Sequence, residues 1–231
     1  MIDSHVLRKI DRVVHGFGAR GDDMAAHFGD DWRRRAVQHE RHGTRIVAVT
    51  ASGQDCGEAD GMFTDRPGIL LAIATADCVP VLLARKDGAA VAALHVGWRG
   101  ALAGIVPQFG ALLARRGEQP GDWTASIGPA AGACCYEVSA DIIDQLGARY
   151  AIDRGVLSPR PRYLDLAGLV RWQLESAGLG MIGAASMCTI CHCPADHAGF
   201  AFHSYRRDRA TRVPGVDVQW SAIGIAPSHG A

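Results

Sequence analysis

GILLAIATADCVPVLLARKDGAAVAALHVGWRG, residues 68–100, decides the fold of this chain. Gly68 to Ala76 is short and almost continuously apolar, which is how a strand covered on both faces reads. VPVLLAR and AAVAALHVG are two further apolar runs separated by Lys86-Asp87-Gly88. Asp-Gly between such runs signals a hairpin, because the tight turn needs residues that tolerate positive φ. Three consecutive buried strands require cover on both faces, and the flanking segments supply it. Gly100 to Arg116 carries Leu102, Ile105, Val106, Phe109, Leu112 and Leu113 at helical spacing and predicts one helix with Pro107 inside it. TRIVAV (44–49) and Ala125 to Gly128 read as strands, and the His15-Gly16-Phe17 region as an opening strand followed by a polar turn. Ser139 is placed to cap a helix running to about Tyr150, and Tyr163 to Gly178 contains another. Residues 181 to 224 read as irregular with short strands. The expected class is α+β, with mixed β-sheets flanked by helices in one domain over residues 1–231.

Composition narrows the function classes. The chain has 231 residues, 48% of them hydrophobic and 21% charged, which is ordinary for a globular domain with a sizeable core. Lys plus Arg equals Asp plus Glu at 24 each, so no electrostatic footprint for nucleic acid or an anionic membrane is present. No apolar run approaches the ~20 residues that span a bilayer, and the first residues lack a basic-then-apolar signal, so a cytoplasmic address is expected. The seven cysteines, an odd number, argue against a disulfide framework. No feature specifies an oligomer, and a monomer is the expectation.

Three segments place metal-capable side chains at strand ends beside glycine: Arg41-His42-Gly43, Thr75-Ala76-Asp77-Cys78-Val79-Pro80 and His95-Val96-Gly97-Trp98-Arg99-Gly100. One thiolate and two imidazoles suit zinc, and three protein ligands leave a fourth position open for chemistry. Taken singly, a Cys after a buried strand is more often a core residue, and a His beside Gly more often a turn residue. Spacing alone therefore does not establish the site. Asp77 reads either as a carboxylate orienting a ligand imidazole or as a turn residue, and Trp98 either as a pocket wall or as core. Cys188-Thr189-Ile190-Cys191 is a C-x-x-C half-site, but Cys134-Cys135 is adjacent rather than spaced and no second C-x-x-C appears. A reactive or buried cluster is expected there rather than a second metal.

TADCVPVLL (75–83) and HVGWRGALAGI (95–105) closely resemble the motifs of the YfiH-like family, also called the multicopper polyphenol oxidase or laccase-domain family, which includes the peptidoglycan editing factor. HGTRIV (42–47), ADGMFTDRPG (59–68), GPAAGACCYEV (128–138), Cys188-Thr189 and HSYRRD (203–208) extend the resemblance in order along nearly the whole chain. The resemblance implies His42, Cys78 and His95 as metal ligands and catalytic centre, with zinc the expected ion and copper the alternative. It also implies phosphorolysis of purine nucleosides (adenosine, inosine, guanosine and methylthioadenosine) together with adenosine deamination. Arg20, Arg99, Arg206 and Arg207 lie in or beside the motifs and are the candidates for phosphate, since guanidinium planes match phosphate oxygens.

The chain departs from the family at several points. Glu40 stands where Gln is usual, which adds negative charge near the metal, and Val96 replaces Ala. The arginine usual near the C-terminus is missing from Gly215-Val216-Asp217-Val218-Gln219-Trp220, which bears on phosphate binding, and the stretch between His15 and His42 is short. Two other activities compete with the phosphorylase. One makes Cys78 a nucleophile assisted by His95, in an amidase acting on a cell-wall precursor. The other is copper-dependent phenol oxidation, disfavoured by ten scattered histidines without an H-x-H pair. A metal- or partner-binding module is the non-enzymatic alternative, and the H-x-E…P-C-x-x-C signature of zinc nucleobase deaminases is lacking.

Overall fold

The computed structural model describes residues 1–194 and 199–227. The first strands are β1 (Val13–Phe17), β2 (Val37–His39), β3 (Ile46–Ala48), β4 (Asp55–Glu58) and β5 (Gly61–Thr64). They are followed by β6 (Leu70–Thr75), β7 (Val79–Arg85), β8 (Val91–Val96) and β9 (Trp123–Ile127), and then by β10 (Met181–Ala184) and β11 (Gln219–Ile225). The helices are α1 (Met24–Phe28), α2 (Asp30–Arg33), α3 (Trp98–Ala103) and α4 (Ile105–Arg115), then α5 (Ala140–Tyr150), α6 (Arg154–Leu157) and α7 (Leu166–Ser176). The strands form a six-stranded sheet in the order β10-β9-β7-β8-β5-β3, a three-stranded sheet β1-β11-β6 and a β2-β4 pair. Parallel and antiparallel pairings are mixed within the larger sheet.

The hairpin at the centre is the one read from residues 79–96, with Gly88 at φ 69° closing its turn. Alternation along it builds two cores at once. Val79, Val81, Leu83, Ala92, Leu94 and Val96 face the helices α3, α4, α5 and α7, where Ile105, Phe109, Leu146, Leu169 and Val170 meet them. Leu82, Ala84, Val91 and Ala93 face the other way, against Leu71, Ile73, Ile223 and Phe17 of the three-stranded sheet. Each Val, Leu, Ile or Phe among them, fully withdrawn from water, contributes about 1.5–3 kcal/mol. The short helices α1 and α2 close the outside, with Met24, Phe28 and Trp32 over Leu70, Ala72 and Trp220.

One expectation needs correction and another is sharpened. The helix read over 100–116 is two helices, broken at Gly104, whose φ of 95° no helix accommodates. Pro107 then sits in the first turn of α4, where a missing N–H costs nothing. The segment 181–224, read as irregular with short strands, holds β10 and most of β11, the latter a buried seven-residue strand at the middle of the three-stranded sheet. Ser139 does precede a helix, although its side chain makes no capping bond, and Asp165 caps α7 by accepting from Gly168 N–H. Among the described residues, no helix is long and apolar enough to cross a membrane.

Candidate metal centre and its cleft

Strand register brings the first two ligands together. β7 begins at Val79, opposite Val96, and Pro80 lies opposite His95, so Cys78 and His95 meet at one end of the antiparallel pair. Both lie on the side of the hairpin that faces the three-stranded sheet, by the same alternation that puts Leu82 and Ala93 there. His42 comes from the loop between β2 and β3, at a positive φ of 60°. One ligand atom from each of the three residues lies within 4.8 Å of the others, and the two imidazole centroids are 4.9 Å apart.

What holds this loop against the sheet is Asp60, a residue that precedes β5. Its carboxylate accepts from the backbone N–H groups of Arg41 (3.1 Å), His42 (2.8 Å) and Gly43 (2.7 Å), and from Nδ1 of His95 (2.8 Å). Burial works against the charge on Asp60, but these bonds outweigh it and hold its carboxyl down at about 2. With Nδ1 engaged by Asp60, Nε2 of His95 is the ring nitrogen left to face a metal ion, which would displace any proton it carries. This carboxylate–histidine arrangement is the usual support of a metal-ligating imidazole. Burial also pushes the Cys78 thiol up, yet His95 and His42 beside the sulfur bring it down to about 7. Burial opposes a charge on His95, whereas Cys78 and Asp60 raise it well above the ordinary value. The surroundings therefore favour positive charge between the three ligands.

Gly97 supplies the space. A Cβ at that position would lie 2.6 Å from Cδ2 of His42 and 3.2 Å from Cys78 Sγ. Gly97→Ala is therefore expected to force His42 away from the sulfur and lower metal affinity at least tenfold, by analogy with loss of a supporting partner. Isothermal titration of the chelator-stripped protein with zinc checks this, and unchanged affinity would refute it.

The three ligands open on a cleft of about 860 Å³. Arg41, Arg99, Arg206, Arg209 and Arg212 line it together with Trp98, Tyr136 and Tyr205, Arg41 being paired with Glu58 at 2.9 Å. Arg99 lies over the Trp98 ring at 4.4 Å and Arg206 over Tyr136 at 4.9 Å. Trp98 proves to be both wall and core, since it also packs against the helix-side cluster. Arg20 and Arg207 are elsewhere. Arg20 pairs with Asp208 at 3.2 Å, and Arg207 is bound to Asp208 and to the carbonyls of Thr189, Ile190 and Phe202. Among the described residues Asp77 orients no imidazole. It accepts from the Thr189 and Ser204 hydroxyls and the Arg206 N–H, tying the 189 and 204–206 segments to the strand end beside Cys78.

The model of the family described as multi-copper polyphenol oxidoreductase laccase matches residues 19–220. The chain belongs to this family. A purine nucleoside phosphorylase of Deinococcus radiodurans is 34% identical over 211 residues, covering 90% of this chain and 76% of that protein. The purine nucleoside phosphorylase YlmD of Geobacillus stearothermophilus is 33% identical, covering 85% of this chain and 84% of its own length. Among solved structures, the hypothetical protein YfiH of Bacillus licheniformis superposes with a TM-score of 0.78 at 27% identity, over 93% of each chain. These laccase-like relatives share the mixed helix-and-sheet, single-domain architecture described above.

Proposed function

We propose that this chain is a zinc-dependent purine nucleoside phosphorylase that also deaminates adenosine. The observation that carries this reading is the convergence of His42, Cys78 and His95 at a cleft lined by five arginines and three aromatic rings. A thiolate and two imidazoles, with Asp60 behind one of them and Gly97 leaving room, fit zinc, and copper is the alternative ion. When bound, such an ion supplies a Lewis acid able to polarise a substrate oxygen or acidify a water.

The chain's own residues supply the rest. In phosphorolysis the C1′–N9 bond of the nucleoside breaks and a phosphate oxygen bonds to C1′, giving ribose 1-phosphate and the free base. Phosphate must be held and its charge balanced, which suits guanidinium groups. Arg99, Arg206, Arg209 and Arg212 are the candidates. Arg212 adds a specific reason, because its buried Nε has no hydrogen-bond partner among the described residues. Arg209 and Arg212 stand on the same cleft as Gly215 and Val218, the stretch that lacks the family's usual arginine. The Trp98, Tyr136 and Tyr205 rings offer faces to a purine. Glu40 borders the cleft too, its carboxylate held by Ala74 N–H (2.9 Å) and the Gln38 amide (3.3 Å).

The reading is tested by incubating the protein with inosine and with adenosine, with and without phosphate. Hypoxanthine released from inosine only with phosphate supports it, and untouched nucleosides in zinc-loaded protein refute it. Arg206→Ala or Arg212→Ala is expected to raise the KM for phosphate about 10–100-fold, the value of one hydrogen bond to a charged group. Variants with unchanged phosphate KM would remove these residues from the site.

A second reading rests on one observation. Cys78, His95 and Asp60 form a thiol–imidazole–carboxylate line with the thiol at about 7, the arrangement of a cysteine amidase acting on a peptidoglycan precursor. His42 beside the same sulfur argues for the metal, since a nucleophile needs only one imidazole.

A further inference from the structure

Four of the seven cysteines form a cluster outside the catalytic cleft. Because β9 and β10 are parallel neighbours, the chain leaves both in the same direction, and the two exits run side by side. Ala130 bridges Cys188, and Thr189 N–H donates to Ala130 O at 3.0 Å. This brings Cys134-Cys135, on the first exit, against Cys188 and Cys191, on the second. The four sulfurs all lie within 4.8 Å of one another, and Cys134 and Cys191 are 3.7 Å apart. The expectation from spacing, that an adjacent pair and a lone C-x-x-C would not complete a site, missed this because the completing pair is supplied by a different strand exit.

We propose that Cys134, Cys135, Cys188 and Cys191 bind a second, structural zinc ion. Four thiolates at the Zn–S length of about 2.3 Å in tetrahedral array are about 3.8 Å apart, close to the observed Cys134–Cys191 separation. A disulfide needs about 2.05 Å. All four thiols are free. Around the first sulfur of the C-x-x-C turn, the backbone N–H of Gly132 donates to Cys188 Sγ at 3.3 Å. Such a donor suits a metal-bound thiolate, which keeps negative charge on sulfur. Gly132 keeps the space clear, as a Cβ there would stand 3.3 Å from both Cys134 Sγ and Cys188 Cβ. With four protein ligands no position stays open, so the ion takes no part in chemistry.

Its place in the fold states its task. Tyr136, on the first exit, lines the cleft, and Thr189, on the second, donates to Asp77 beside Cys78. An ion joining the two exits clamps one wall of the cleft to the segment that steadies Asp77. The site stands whether or not the chain turns over nucleosides.

Zinc counted by elemental analysis of protein purified without chelator tests the proposal. About two ions per chain are expected in the wild type, and about one in each of Cys78→Ala and Cys188→Ala/Cys191→Ala. Should the double variant not fold, the Cys78→Ala protein still decides. Native alkylation followed by peptide mass mapping is expected to modify Cys193 and to spare the four clustered thiols until a chelator is added. One zinc in the wild type with none in Cys78→Ala would overturn the proposal. So would a Cys134–Cys191 disulfide in protein purified without reductant, or ready alkylation of the four thiols in the Cys78→Ala protein.

Discussion

Cys78→Ala is expected to lower the zinc content by one ion per chain and to cut kcat/KM for phosphorolysis about a thousandfold. The size follows from the several kcal/mol that a Lewis acid contributes to charge stabilisation, at 1.36 kcal/mol per decade. The sulfur is the one anionic ligand among the three and lies between two imidazoles that lower it to about 7. Alanine leaves His42 and His95 as an incomplete ligand pair. The fold should survive, because Cys78 lies just outside β7 and takes no part in either of the two large cores.

Metal content separates the two readings of the site. Under the amidase reading Cys78→Ala also abolishes activity, but the metal content does not change. A zinc-bound thiolate resists alkylation, so a chelator should speed iodoacetamide labelling of wild-type Cys78 if the metal reading is right. Labelling that is fast beforehand and unaffected by chelator would favour the nucleophile.

The sequence made some of this legible and hid the rest for physical reasons. The β7–β8 hairpin was readable because its apolar runs and Asp87-Gly88 turn are local, and those runs deliver Cys78 and His95 to one end. The break at Gly104 was not, because Leu102, Ile105, Val106 and Phe109 keep helical spacing across it, and only the backbone angle reveals the stop. Nor was the position of β11 between β1 and β6, a pairing between residues more than a hundred apart that no local pattern records. Among the arginines of HSYRRD, Arg206 reaches the cleft, while Arg207 turns inward to carbonyls and Asp208. Arg209 and Arg212 lie just past the motif and carry no signal beyond their charge. Asp60 was hidden differently: Asp-Gly before an apolar run looks like an ordinary turn, although its place in ADGMFTDRPG was the available hint.

Asp60 is accordingly the residue whose replacement tests the most. Asp60→Asn keeps the shape but turns one acceptor oxygen into a donor, which must then face one of the N–H groups of Arg41, His42, Gly43 or His95. A buried donor without a partner costs about 1–3 kcal/mol. The charge is worth a comparable amount, since carrying a carboxyl from 3.8 to about 2 corresponds to about 2 kcal/mol of native-state stabilisation. Because the folded value is the lower one, this contribution is present above pH 3.8 and fades as pH falls towards 2. The variant is therefore expected to be about 2–4 kcal/mol less stable near neutrality, with a deficit that narrows between about pH 4 and pH 2. Both unfolding series belong in excess chelator, so that lost metal affinity does not add to the difference. Zinc affinity, measured separately, should fall about 10–100-fold, because the imidazole of His95 and the loop bearing His42 lose their common anchor. A variant with normal stability but weakened zinc binding would make Asp60 a support for the metal alone. Normal stability together with normal zinc binding would show that the His42 loop is held by something other than this carboxylate.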